Sequence, residues 1–238
     1  MEIKLKQQKI LPKEFMLPHL PPVWYEQGEI NSCVGQSLAF YISYLFYRQT
    51  NRVEVFSPMY IYWHARYLEG TTLKDDGCYL IDGIISIAKW GVCREKVWEH
   101  TPPHLTIQPA PEAYEDAMSL GLTIKYAKIN TVEEMKCALV NQYPVVLGFA
   151  VPESFKRTIS KSEVFLEPPK PQDRILGGHA VVAIGYSDYK NAFLCRNSWG
   201  RDWGMDGNFW LHYDYTIPEK HLADTKFIMK IERRKPKW

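Results

Sequence analysis

No stretch of this 238-residue sequence stays apolar for long enough to span a bilayer. The opening segment MEIKLKQQKILPKEF carries basic residues but no signal-peptide core. A soluble protein without a membrane partner is expected. Charge of one sign is lacking as well: 29 basic against 27 acidic residues leave a formal charge of +2, too little to argue for a nucleic-acid partner. Cysteine is scarce and odd in number, so Cys33, Cys78, Cys93, Cys137 and Cys195 cannot all pair within one chain. No pair has Cys-x-x-Cys spacing and no His-Glu-x-x-His segment occurs, so neither a metal nor another cofactor is expected. The scarcity of cysteine points to a reducing compartment, the cytoplasm first, with a virion or a secretion route without signal peptide as alternatives. Internal repeats and low-complexity segments are missing too.

What is present is core-forming material: 46% hydrophobic residues and 14% aromatics, far from the composition of disorder. Four prolines between residues 11 and 22 predict an extended lead-in. Residues 32–48 predict a buried helix with Ser32 as N-cap, because Leu38, Ile42, Leu45 and Phe46 recur at helical spacing. Ser57-Pro58 starts a second helix that stops at Gly70, a third covers 80–90 before Gly91, and a fourth covers 111–121. Thr131 and Glu134 stand in capping-box spacing. Strand-like runs follow at 144–151, 179–186, 192–196, 208–213 and 226–231. Helices first and strands after, without regular alternation, predict an α+β fold in two lobes. The expected division is a lead-in over 1–24, a helical lobe over 25–122 and a β-rich lobe over 123–238. The basic run 230–238 is expected to be a solvated end.

Cys33 opens the first helix, where the unpaired N–H groups of the first turn and the positive end of the helix dipole stabilise a thiolate. A buried cysteine packing as a small hydrophobe would look the same in isolation. A nucleophile also needs a base, a group that orients the base, and donors for an oxyanion. His179 begins the strand in GGHAVVAIGY, after two glycines that let a ligand approach. Asn197 in RNSWG, at the end of the next strand, could accept the imidazole N–H. Gln27 in EQGEINSC could offer its NH₂ beside the Cys33 N–H.

Taken together, Gln27-Gly28 through Ser32-Cys33, then Gly178-His179-Ala180, then Asn197-Ser198-Trp199-Gly200 with Trp203-Gly204 and Gly207, resemble the three motifs of the papain-like cysteine peptidases. The order along the chain also agrees. The resemblance implies a papain-like two-lobed fold, a helical lobe plus an antiparallel β-barrel-like lobe, with the active site in the cleft. It implies a monomeric cysteine-type peptidase that hydrolyses polypeptide substrates through a thioester. A papain-fold acyl transferase or isopeptidase, and an inactive papain-like binding protein, are the competing expectations. Cys33 and His179 would form a thiolate–imidazolium pair, with the thiol pKa several units below its ordinary value of about 8.5. Gln27 would serve the oxyanion, Asn197 would orient the imidazole, and Trp199 would shield the Asn–His bond. Gly178, Cys78 and Tyr79 would line the substrate site.

Departures from the family pattern are visible. Ile30 stands where relatives carry the cysteine that pairs with the equivalent of Cys78, so that disulfide cannot form, and Cys78–Cys93 is the remaining candidate pair. Val34 replaces the usual tryptophan after the nucleophile. Tyr79-Leu80-Ile81-Asp82-Gly83 replaces the glycines that line the substrate site. Only 26 residues precede Gln27, so a long inhibitory propeptide is not expected. LPPVWYEQG, FSPMYIYWHAR, WGVC and RNSWGRDWG are closer to the compact peptidases of microbes and large DNA viruses than to lysosomal cathepsins.

Overall fold

The computed structural model describes residues 3, 5, 10–156, 164–168, 173–216 and 226–233. In chain order the elements are β1 (Glu14–Met16), α1 (Cys33–Thr50), α2 (Pro58–Glu69), α3 (Leu80–Trp90), α4 (Pro111–Leu120), β2 (Leu122–Lys128) and α5 (Val132–Val140). Then follow β3 (Val145–Pro152), α6 (Glu153–Lys156), β4 (Phe165–Leu166), β5 (Ile175–Ser187), β6 (Ala192–Arg196), β7 (Asn208–His212) and β8 (Lys226–Arg233). Two compact units divide the chain: Leu20–Tyr126 with Met229–Trp238, and Met1–His19 with Ala127–Ile228. The basic end beyond residue 233 lies outside the described residues.

The first unit is helical, and its helices begin and end where local chemistry dictates. Ser57 caps α2 by accepting the Tyr60 N–H (3.0 Å), Pro58 occupies the first helical position, and Gly70 closes it in the left-handed conformation at φ +71°. α1 is buried without interruption from Val34 to Phe46. It can pack so closely because its neighbours approach at positions without side chains. A Cβ on Gly35 would collide with the Pro58 carbonyl, and one on Gly83 of α3 would come within 2.6 Å of Leu38 Cδ1 and 2.7 Å of Val34 Cγ1. Tyr41 on α1 accepts the Met229 N–H of β8 through its hydroxyl (2.8 Å), fixing strand to helix inside the same unit.

The second unit is built on strands β1 and β3 to β7 with the start of β8, most of β2 and β8 belonging to the first unit. α5 opens with the expected capping box: Thr131 Oγ1 accepts the Glu134 N–H, and the Glu134 carboxylate accepts the Thr131 N–H. The sheet runs β2-β8-β3-β5-β6-β7-β4, with β1 added to β5 by pairing Phe15 with Tyr186. This corrects the expected antiparallel, barrel-like lobe. The sheet is open, its end strands β2 and β4 being different, and it is mixed, because β4 runs parallel to β7 with Phe165 opposite Trp210. β5 and β6 lie between β4 and β7 in the chain, so no hairpin obliges β4 to run antiparallel to β7.

β5 lies between β3 and β6 and its burial changes sharply along its length: Ile175 to Gly178 are exposed, His179 to Ser187 buried. His179 is therefore the residue at which the strand enters the core.

Two consequences can be measured. Gly83→Ala forces Val34 and Leu38 apart and should cost about 1–3 kcal/mol in urea unfolding, as overpacking does; an unchanged midpoint would contradict the close packing of α1 on α3. His64 on α2 is 1% exposed, donates through Nδ1 to the Tyr60 carbonyl (2.8 Å) and accepts the Tyr114 hydroxyl at Nε2 (3.2 Å). Burial lowers its pKa to about 4. Between that value and the unfolded value of about 6.5 only the unfolded chain takes up the proton, so stability is lost as pH falls through this window. His64→Phe should shrink the stability difference between pH 7 and pH 5 by about 2 kcal/mol; equal acid sensitivity of both proteins would refute it.

Candidate active site

In the helical unit the chain approaches Cys33 through a turn held from several sides. Tyr25 is buried, and its hydroxyl donates to the Phe56 carbonyl (3.0 Å) and accepts the Phe56 N–H (3.1 Å), which pins the start of the segment. Gln27 Nε2 donates to the Ile30 carbonyl (3.0 Å), and the Ile30 N–H donates to the Gln27 carbonyl (3.1 Å), so side chain and backbone close the same turn. Asp75 then grips Asn31: its carboxylate accepts the Asn31 N–H (3.1 and 3.2 Å), and its carbonyl accepts from Asn31 Nδ2 (2.6 Å). The same carboxylate accepts the Tyr62 hydroxyl (2.7 Å), which in turn accepts the Gly77 N–H (3.1 Å).

Ser32 stands at the N-cap position as expected but does not cap. Its φ of −94° and ψ of 19° lie away from the extended conformation of a capping serine, and its hydroxyl bonds His100 Nε2 (2.8 Å) and accepts from Gln36 Nε2 (3.2 Å). The first intrahelical bond runs from the Gln36 N–H to the Ser32 carbonyl (3.0 Å), so the N–H groups of Cys33, Val34 and Gly35 precede the helical ladder. Cys33 is half-buried at that end.

The other thiols are placed differently. No disulfide joins any of the five cysteines, Cys78 and Cys93 included. Ile30 belongs to a buried cluster with Met59, Tyr62, Cys93 and Trp98, and Cys78 packs against that cluster, so an apolar contact takes the place of the missing disulfide. Burial pushes the Cys78 thiol well above its ordinary range, and the negative charge of a Cys33 thiolate adds to this. Burial also pushes Cys93 and Cys195 upward. Tyr79 is 73% exposed, with its backbone N–H on Glu69 Oε1 (2.8 Å) at the start of α3.

In the strand unit, His179, Asn197 and Trp199 come together. β5 and β6 pair with Val182 opposite Arg196, which sets Asn197, just past β6, close along the strand from His179. Its own N–H is held by the Gly207 carbonyl (2.9 Å), in a turn closed by the Gly207 N–H on the Trp203 carbonyl (2.8 Å). Asn197 Oδ1 accepts both the Ser198 N–H (2.8 Å) and His179 Nε2 (2.8 Å). The first of these donors cannot be an acceptor, so the amide oxygen is the atom facing the imidazole, and Nε2 carries a proton. The ring atom left for proton exchange is Nδ1. Trp199 lies over the imidazole, with ring centres 5.1 Å apart and planes 30° apart, and is backed by Phe155 and Trp203; Phe149 meets the edge of the imidazole at 5.8 Å. A Cβ at exposed Gly178 would meet no atom within 4 Å, so space is open beside the histidine.

Asp75, Tyr62 and His100 were not singled out from the sequence. The doubled aspartate before Gly77 and the histidine before Pro102-Pro103 are local signals of a turn only, and their partners lie 44 and 68 residues away.

Known proteins resemble this arrangement. The profile of the papain family cysteine proteases matches residues 77–225. An uncharacterized peptidase C1-like protein of Acanthamoeba polyphaga mimivirus is 34% identical over 218 residues, which cover 87% of this chain and 69% of that one. Xylellain, a cysteine protease from Xylella fastidiosa, is 32% identical, with a TM-score of 0.84 over 93% of this chain and 87% of that one. Bromelain from Ananas comosus, solved in complex with the E64 inhibitor, shares the fold at 18% identity, with a TM-score of 0.70 over 93% of this chain and all of that one. Extent, identity and fold agree with the three motifs: the chain belongs to the papain family of cysteine proteases and is a cysteine peptidase.

Proposed function

We propose that Cys33 is the nucleophile of this peptidase, that His179 exchanges the proton, and that Asn197 orients His179 while Gln27 and the Cys33 N–H receive the oxyanion. The observation that carries this reading is the 2.8 Å bond from His179 Nε2 to Asn197 Oδ1. It dedicates one ring nitrogen to orientation and leaves Nδ1 for chemistry. In the resting enzyme the thiol proton resides on Nδ1, giving a thiolate at the helix start and an imidazolium whose charge the Asn197 oxygen stabilises.

The thiolate sulfur attacks the scissile carbonyl carbon, and the carbonyl electron pair moves onto oxygen. That oxyanion is met by Gln27 Nε2 and the Cys33 N–H; one such donor is typically worth about 3 kcal/mol. Nδ1–H then protonates the departing amine as the C–N bond breaks, leaving a thioester. Water, deprotonated by the now neutral Nδ1, attacks the thioester, and collapse of the second oxyanion releases the carboxylic acid and restores the thiolate. Trp199 keeps water from the His179–Asn197 bond, which strengthens it in the drier surroundings. The elevated thiols of Cys78, Cys93 and Cys195 leave Cys33 and Cys137, and of these two Cys33 stands at the start of a helix while Cys137 lies inside α5.

The substrate is a polypeptide. Gly178 and Tyr79 are read as lining its path, because one offers open space beside His179 and the other an exposed aromatic surface after Cys78. We read the protein as a monomer acting on free polypeptide; a formal charge of +2 gives no overall attraction to nucleic acid or membrane surfaces.

A thiol-directed epoxide should modify Cys33 far faster than Cys137 when adducts are located by mass spectrometry; equal rates would remove Cys33 from the mechanism. Asn197→Ala should lower kcat roughly a hundredfold with little change in KM, since it misorients the base without touching substrate. A loss confined to KM would argue instead that Asn197 binds substrate.

A further inference from the structure

We infer that His100 is a positioning residue for the nucleophile: it holds the Ser32 hydroxyl away from the start of α1 and so reserves the first-turn N–H groups for Cys33. The inference rests on Cys33 being the nucleophile.

Serine at an N-cap normally turns its oxygen onto the N–H of the second or third helical residue. Ser57 does so in this protein, with φ −74°, ψ 112° and its Oγ on the Tyr60 N–H. Ser32, at the same position of α1, has ψ 19° and makes no side-chain cap. The difference lies in what claims the hydroxyl. Ser32 is fully buried, so its hydroxyl must find partners within the protein. Gln36 Nε2 donates to Oγ (3.2 Å), and the buried Ser32 proton needs an acceptor, for which His100 Nε2 stands at 2.8 Å. A neutral imidazole protonated on Nδ1 accepts it.

The surroundings of His100 keep it in that form. Its backbone N–H is fixed on Glu95 Oε1 (2.7 Å), in the segment after β-bridge residue Arg94. Burial lowers the imidazole pKa and outweighs Asp75, the acidic group that favours protonation. The Glu95 carboxyl is itself raised to about 7 by burial, so it presents less than a full negative charge near neutrality. Glu99 faces the same segment and adds to the elevation of Glu95.

A capping oxygen on the N–H of Val34 or Gly35 would bring a lone pair to the place where the helix end stabilises a thiolate. It would consume donors whose partial positive charge depresses the thiol pKa. By engaging the hydroxyl elsewhere, His100 preserves that charge without touching substrate.

The test follows the pH dependence of Cys33 alkylation by iodoacetamide, mapped by peptide mass spectrometry, together with kcat and KM on a peptide substrate. His100→Phe keeps the ring but removes the acceptor. It should raise the pKa governing Cys33 alkylation by about one unit and lower kcat about tenfold at mildly acidic pH, with KM little changed. His100→Gln, whose amide oxygen reaches the place of Nε2, should recover most of both. Adding Ser32→Ala to His100→Phe removes the hydroxyl that would cap and should return the alkylation pKa toward its original value. Should His100→Phe fail to fold, His100→Asn, too short to reach Ser32, takes its place. The inference is overturned if the Phe and Gln variants are equally impaired with unchanged alkylation pKa, or if the double variant keeps the raised pKa. If Cys33 in the unaltered protein is alkylated no faster than Cys137, the assignment of the nucleophile falls first, and the role of His100 with it.

Discussion

Everything about the helical unit depends on where α1 begins. Thirteen consecutive residues, Val34 to Phe46, are buried, so sliding the helix by one residue would rotate every packed side chain by about 100°. The contacts at Gly35 and Gly83 leave no slack for such a shift. The N-terminal end is thus fixed by packing along the whole helix, and Cys33 inherits its position from residues far from the chemistry. Polar groups buried on the same helix, Ser32 and Ser43 among them, are satisfied by His100 and Tyr25. Burial here fixes the helix and at the same time obliges its polar side chains to choose partners.

The turn before Cys33 solves a problem that relatives solve with a disulfide. Ile30 contributes apolar contact with the cluster against which Cys78 packs, while Asp75 accepts the Asn31 N–H on its carboxylate and the Asn31 Nδ2–H on its carbonyl. A disulfide typically stabilises by about 2–4 kcal/mol. Hydrogen bonds to a charged group contribute about 1.5–3 kcal/mol each when buried, less where they face solvent as these do. The two devices act by different means. They differ in what they require, since the carboxylate works without an oxidising environment.

Much of this was legible in the sequence, because strong local signals mark helix ends and catalytic motifs. Ser57-Pro58, Gly70, Gly91, Gly121 and the Thr131–Glu134 box each declare themselves within a few residues, and the structure has helices there. Order and spacing of Cys33, His179 and Asn197 were enough to suggest the family. β1 and β4, of three and two residues, are too short to show a period, and β2 follows α4 with only Gly121 between them, so no loop marks its start. The openness of the sheet could not be read, since which strands lie at its edges is decided by pairings such as β4 with β7 across 45 residues, Phe165 to Trp210. Ser32 misled for a related reason: its sequence position is that of a cap, but a histidine 68 residues away takes the hydroxyl. Local rules state what a side chain can do, and distant partners decide which option it takes.

Replacing a covalent link by titratable partners changes the kind of control the turn is subject to. A disulfide responds to redox potential and is indifferent to protons. Asp75 holds the Asn31 N–H and the Tyr62 hydroxyl through its carboxylate oxygens, and His100 must be neutral to accept the Ser32 proton. The bond to His100 holds while the imidazole is neutral and fails in acid, where the imidazole becomes a donor. The geometry in front of Cys33 is therefore insensitive to reductants and tied to pH from its acid side. The lowered pKa of His100 extends the range over which it holds.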